Sequence, residues 1–226
     1  DSSSAEIEIE CRERSKIGGT YEGAAVQGDH AFFAHGSGVS SYDISDPENP
    51  RFISFVGTPG IAVEVVIVDS FAYVADRSYG LTIIDVSDIE NPMIVGTHST
   101  GNAYDIDVRD DIVFLAGGTD GLVIIDASNK SNPTQLSNLR SHNNARCIDI
   151  RGNFAYIADL REGLCIMDIS NILEPRIVGD LDTPGNAIDV IADGTYAYIA
   201  DSLNGLVIVN VQDAASPVEV GHYDTT

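Results

Sequence analysis

One short pattern recurs five times in this chain, and it limits the fold more than any other feature. The segments read Val39-Ser-Ser-Tyr-Asp-Ile-Ser, Leu81-Thr-Ile-Ile-Asp-Val-Ser, Leu122-Val-Ile-Ile-Asp-Ala-Ser, Leu164-Cys-Ile-Met-Asp-Ile-Ser and Leu206-Val-Ile-Val-Asn-Val-Gln. Their fifth residues, Asp43, Asp85, Asp126, Asp168 and Asn210, are spaced by 42, 41, 42 and 42 positions. A proline follows seven residues later each time: Pro50, Pro92, Pro133, Pro175 and Pro217. Upstream lies a second shared segment: Ala31-Phe-Phe-Ala-His, Ala72-Tyr-Val-Ala-Asp, Val113-Phe-Leu-Ala-Gly, Ala155-Tyr-Ile-Ala-Asp and Ala197-Tyr-Ile-Ala-Asp. A period of this length means a stacked or radial array of one supersecondary unit.

Each copy divides into four short segments rich in Val, Ile, Tyr and Phe or alternating in polarity, the lengths of strands and too short for helices. A glycine closes the turn between the second and third segments (Gly38, Gly80, Gly121, Gly163, Gly205), which predicts a positive φ in a hairpin. The proline opens the fourth segment, where a missing N–H suits an outer edge strand. Four antiparallel strands per copy, no helix and a period near 42 predict an all-β fold, a β-propeller of five four-stranded blades. A single blade cannot bury both of its faces, and radial packing buries face against face. The propeller domain is expected over residues 20–226, with residues 1–19 as an extension. There Ala5-Glu-Ile-Glu-Ile-Glu-Cys alternates as a strand does and is a candidate for closing the ring.

The 226 residues carry 35 acidic against 12 basic side chains, a formal net charge of −23, and only Lys16 and Lys130 are lysines. Such a field argues against nucleic acid, which requires clustered Lys and Arg, and against anionic membrane surfaces. Two explanations stay open: a high-salt or extracellular habitat, where carboxylates keep a surface hydrated, or cation binding. No apolar run is long enough for a membrane span, so no direct membrane insertion is expected. The N-terminus has neither a basic region nor an apolar core, and no signal peptide is expected within it. The three cysteines, Cys11, Cys147 and Cys165, form neither a disulfide framework nor a zinc spacing.

The run Gly-Leu-x-Ile-Val/Ile-Asp-Val/Ala-Ser with its proline, preceded by Ala-Tyr-Ile/Val-Ala-Asp, resembles the LVIVD repeat family of bacterial and archaeal cell-surface proteins. The resemblance covers roughly residues 20 to 224 and is weakest in the first copy, whose third strand is more polar. It implies a propeller and an extracellular or cell-surface location, and it implies no particular chemistry.

Because the strands repeat and the loops do not, the loops at the mouth of the central channel are the candidate ligand-binding rim, by architectural analogy. They contain His35, Arg77, Tyr79, His98, Asp120, His142, Arg146 and Arg161. Arginines on an acidic molecule suit a carboxylate, a phosphate or a sugar acid, or they pair locally with Asp76, Asp120, Asp159 and Glu162. The three histidines can hold a transition metal only if they converge. In the strand lining the channel, Glu64, Asp105 and Asp189 occupy one equivalent position, with Cys147 in the fourth copy. A ring of carboxylates there can hold Ca2+ or water, or can accept backbone N–H groups from the neighbouring blade. The repeated Asp43, Asp85, Asp126 and Asp168, and likewise Asp76, Asp159 and Asp201, are expected to fix turns.

No catalytic signature is present: no GxSxG, HExxH, P-loop or EF-hand spacing. The leading expectation is therefore a non-catalytic extracellular interaction module with a protein or glycan partner and no cofactor other than Ca2+. The alternatives are a hydrolase or lyase acting on an anionic substrate at the channel mouth, and a structural unit of a larger surface protein.

Overall fold

The computed structural model describes residues 22–225. The extension, including the alternating segment from Ala5 to Cys11, lies outside the described residues. The described chain is built of β-strands, with one 3-10 turn at Ser202–Asn204. The first two copies of the repeat contribute β1 (Gly23–Gln27), β2 (His30–Asp43), β3 (Arg51–Val68), β4 (Phe71–Asp76), β5 (Gly80–Asp85) and β6 (Met93–Ser99). The third holds β7 (Asp105–Arg109), β8 (Ile112–Ala116), β9 (Leu122–Asp126) and β10 (Thr134–Leu139). The fourth holds β11 (Cys147–Arg151), β12 (Phe154–Ala158), β13 (Leu164–Asp168) and β14 (Arg176–Leu181). The fifth holds β15 (Asp189–Asp193), β16 (Tyr196–Ala200), β17 (Leu206–Asn210) and β18 (Val218–Tyr223).

The turn chemistry explains why the strands stop where they do. Asp43, Asp85, Asp126 and Asp168 each accept the N–H of the serine two residues on, as Asn210 does for Gln212, and this fixes the turn before the outer strand. Each outer strand starts directly after its proline. Gly80, Gly121, Gly163 and Gly205 have φ of 122°, 75°, 75° and 76°, as the hairpin reading requires. A Cβ on Gly163 would also stand 2.3 Å from the Leu181 carbonyl oxygen, so the position excludes side chains on two grounds.

The third, fourth and fifth copies each form one four-stranded antiparallel sheet, but β1 to β6 form a single six-stranded sheet. This departs from five separate four-stranded blades, and the cause is local. At each of three junctions a short antiparallel bridge links the end of one copy's second strand to the alanine before the next copy's first strand: Gly36↔Ala62, Gly118↔Ala145 and Leu160↔Ala187. The last two are isolated. In the first copy the turn is one residue shorter, with Gly36 at φ 48°. There β2 and β3 continue through the bridge and the ladders merge.

Four apolar clusters hold the sheets face to face, one at each junction between consecutive copies. Alternation makes this possible. In the fourth copy Tyr156, Ala158, Leu164 and Ile166 face forward into the fifth, while Ile148, Ile150, Ile157 and Met167 face back into the third. The innermost strands meet along β1–β3, β3–β7, β7–β11 and β11–β15, and no comparable packing joins β15 to β1 among the described residues. Among the described residues the arrangement is propeller-like and open, and the segment expected to be able to close a ring lies outside them. No helix among the described residues is long and apolar enough to cross a membrane.

Candidate functional site at the channel mouth

The innermost strands present their side chains to the axis in register. The outermost layer at the mouth is Glu22, Val63, Tyr104, Arg146 and Ile188, one residue before the layer of Glu64, Asp105, Cys147 and Asp189, to which the first copy contributes Gly23. Together with Arg77 the side chains of these two layers line a cavity of about 270 Å3. Two of the expected rim arginines and all three expected channel carboxylates therefore come together in one place.

The carboxylates have a structural task. Innermost strands of adjacent copies are not joined by a backbone ladder, so their N–H groups need other acceptors. Asp105 Oδ2 accepts the Ile148 N–H at 2.8 Å, Asp107 Oδ2 accepts Ile150 at 3.1 Å and Asp149 Oδ2 accepts Ala192 at 2.6 Å. The Cys147 thiol donates to Asp189 Oδ1 at 2.9 Å. Each contact crosses from one copy to the next, as the structural alternative predicts. Glu64 leans on Gly23, where a Cβ would lie 2.4 Å from its Oε1. Among the described residues no group of three or more His, Cys, Asp or Glu stands together as a metal-binding set.

Burial sets the protonation of this layer. Desolvation, reinforced by the charges of Asp105 and Asp189, pushes the Glu64 carboxyl up to about 7. Desolvation also raises Asp105, opposed by hydrogen bonds from Cys147, Ile148 and Ile106. The Cys147 thiol is driven far above its ordinary range by burial and by the neighbouring Asp105 and Asp189, so it is a neutral donor and no thiolate nucleophile.

Above that layer sit the cations. The Arg77 guanidinium lies 5.5 Å and that of Arg146 4.2 Å from the centre of the Tyr104 ring. Arg77 Nη2 meets Glu22 Oε2 at 2.8 Å, whereas its buried Nε has no hydrogen-bond partner. Arg146 has no carboxylate partner among the described residues. Local pairing with Asp76 or Asp159 does not occur, because those carboxylates hold loops. Asp76 accepts Gly60 N–H, and Asp159 accepts Ser141 Oγ and the N–H groups of Asn143 and Asn144. Asp201 does the same with Thr183 Oγ1 and Gly185 N–H.

The remaining rim candidates do not converge. His35 Nε2 bonds Ser40 Oγ at 2.6 Å beside Phe55. His98 lies on the outer strand β6 against the Pro133 carbonyl. His142 and Arg161 are exposed, and Tyr79 and Asp120 are half-buried in turns away from the cavity. Tyr104 and Glu22 are cavity-lining positions that loop reasoning misses. The signal that finds them is register, since both stand where Arg146 stands in its own copy.

The LVIVD repeat matches this chain four times, over residues 59–100, 100–140, 143–183 and 184–225. The chain belongs to the LVIVD repeat family. The first copy, where the strand pattern is most polar, lies outside the matched residues. No curated protein matches the chain. Among solved structures, this LVIVD-repeat chain is similar to a protein from Lactobacillus plantarum at 15% identity and a TM-score of 0.79, covering 91% of this chain and 71% of that one. It is similar to the periplasmic gluconolactonase of Pseudomonas aeruginosa at 11% identity and a TM-score of 0.76, covering 90% and 70%. It is also similar to the computationally designed Ika8 protein at 6% identity and a TM-score of 0.71. The chain spans 62% of that protein's length. At these identities the likeness is one of fold.

Proposed function

We propose that this LVIVD-repeat chain is a non-catalytic binding module, displayed outside the cell or on its surface. Five consecutive propeller blades form its scaffold, and its channel mouth seats an anionic group of a glycan or protein partner. The observation that supports this most is Arg146, stacked on Tyr104 at the mouth of a cavity and unpaired with any acid among the described residues. A guanidinium fixed on an aromatic face keeps its donors in a plane, ready for a carboxylate. Glu22 already meets Arg77 in that manner, which gives the chemistry of the seat. The carboxylates beneath accept hydroxyl or amino hydrogens, so a carboxylate on a polyhydroxylated body suits both layers. A surface rich in Asp and Glu suits an exposed, well-hydrated setting.

Hydrolysis is the rival reading, and the likeness to a gluconolactonase supports it at the level of fold. Against it stand the neutral Cys147 thiol and the histidines set apart from the cavity. The test is calorimetric titration of the chain with D-glucuronate and with D-glucose, and an assay with glucono-lactone. Binding of glucuronate but not glucose, weakened at least about tenfold by Arg146→Ala, with no turnover, supports the proposal. No glucuronate binding, or binding indifferent to Arg146→Ala, overturns it. Lactone turnover transfers the site to an enzyme.

A further inference from the structure

The forward face of the fifth copy repeats the forward face of the fourth, yet no described residue covers it. Tyr156 and Leu164 are 6% and 0% exposed beneath the fifth copy, and their equivalents Tyr198 and Leu206 are 38% and 36% exposed. Ile188 and Ile191 beside them are open as well. Three successive junctions bury these same forward positions against one kind of surface, the alternate residues of the next copy's first three strands. The hydrogen-bonding groups are prepared too. Leu160, held at φ 45°, exchanges two backbone bonds with Ala187 of the following copy. Ser202 holds the equivalent place at φ 49°, and no following strand meets it among the described residues. A non-glycine residue in the left-handed region is strained unless its surroundings require it.

We propose that this face is a docking surface for a further four-stranded LVIVD blade, whose first strand pairs with Ser202 and whose apolar residues cover Tyr198, Leu206 and Ile191. Shape continuity identifies the occupant, since Tyr198, Leu206 and Ile208 stand in the register of Tyr156, Leu164 and Ile166, of Phe114, Leu122 and Ile124, and of Tyr73, Leu81 and Ile83, which already hold such a blade, while Ile191 replaces the Asp107 and Asp149 of the two preceding copies. Exposed apolar side chains grouped on one face otherwise mark an interface.

The test appends a copy of residues 185–226 directly after Thr226 and compares it with the 226-residue chain. Expected are a melting temperature higher by roughly 10 °C and a larger unfolding free energy in urea. Leu206→Asp should become destabilising only in the extended chain. A control extension carrying the Ile199→Asp change in its appended copy should lose these gains, which separates docking from a mere tail. The proposal is overturned if the extension raises neither the melting temperature nor the unfolding free energy in urea. It is overturned equally if the 226-residue chain sediments as a stable dimer dissolved by Leu206→Asp, which assigns the face to a second copy. It fails as well if Leu206→Asp already unfolds the 226-residue chain, which assigns the cover to residues of the same chain.

Discussion

The fourth and fifth copies carry nearly the same residues and live in different surroundings. Ala-Tyr-Ile-Ala-Asp is identical in the two, and Leu164 and Leu206 both open their third strands. In the fourth copy both faces are covered. In the fifth the backward residues Val190, Ile199, Val207 and Val209 are buried, while the forward ones are open. Within a copy, then, structure follows from sequence; between copies it follows from who the neighbour is. The loop-holding aspartates make the same point from the other side. Asp159 and Asp201 are both fully buried and make equivalent bonds, because their partners lie in the loop that arrives from the preceding copy.

This contrast orders the expected effects of substitution. Leu164→Asp places a carboxylate in a closed junction and is expected to cost more than about 5 kcal/mol, read as loss of the cooperative urea transition. Leu206→Asp, on the open face, is expected to cost under about 1 kcal/mol. Equal costs would break the contrast. Asp159→Ala and Asp201→Ala each leave backbone N–H groups without their acceptor, and each is expected to cost about 3 kcal/mol. The two values should agree, since neither depends on the next copy.

Glu64 tests a covered junction through pH. Its carboxyl is raised from 4.5 to about 7 by burial, so between those values the folded chain holds a proton that the unfolded chain releases. That contribution to stability is full below pH 4.5, falls as pH rises and levels off above 7. Glu64→Gln removes it, and the variant's stability relative to the parent should rise by on the order of 3 kcal/mol across that window in chemical denaturation at several pH values. Gly163→Ala and Gly205→Ala are each expected to cost about 2 kcal/mol, above only Leu206→Asp. Both have positive φ, and a Cβ at either would meet a carbonyl oxygen.

Most of the scaffold was legible because repetition exposes it. The Asp turns, the hairpin glycines, the edge prolines and the alternating faces are local, and each needs only a few neighbouring residues. At the site, Glu64, Asp105 and Asp189 were legible by alignment of the copies, and Arg77 and Arg146 by standing out against an acidic background. His35, His98, His142 and Arg161 were not separable from real rim residues, because loop membership does not say which way a side chain points. Tyr104 and Glu22 were hidden by standing directly before β7 and β1, in segments where repetition reads as scaffold. The merging of the first two sheets turned on a single missing turn residue. Ring closure was not legible at all, since the residues of the fifth copy specify a face and not what meets it.

Hydroxyl-radical footprinting of the intact chain, read by peptide mass, tests the central contrast most directly. The account predicts labelling of Tyr198 and Leu206 with protection of Tyr156 and Leu164. Equal protection of both pairs would contradict it.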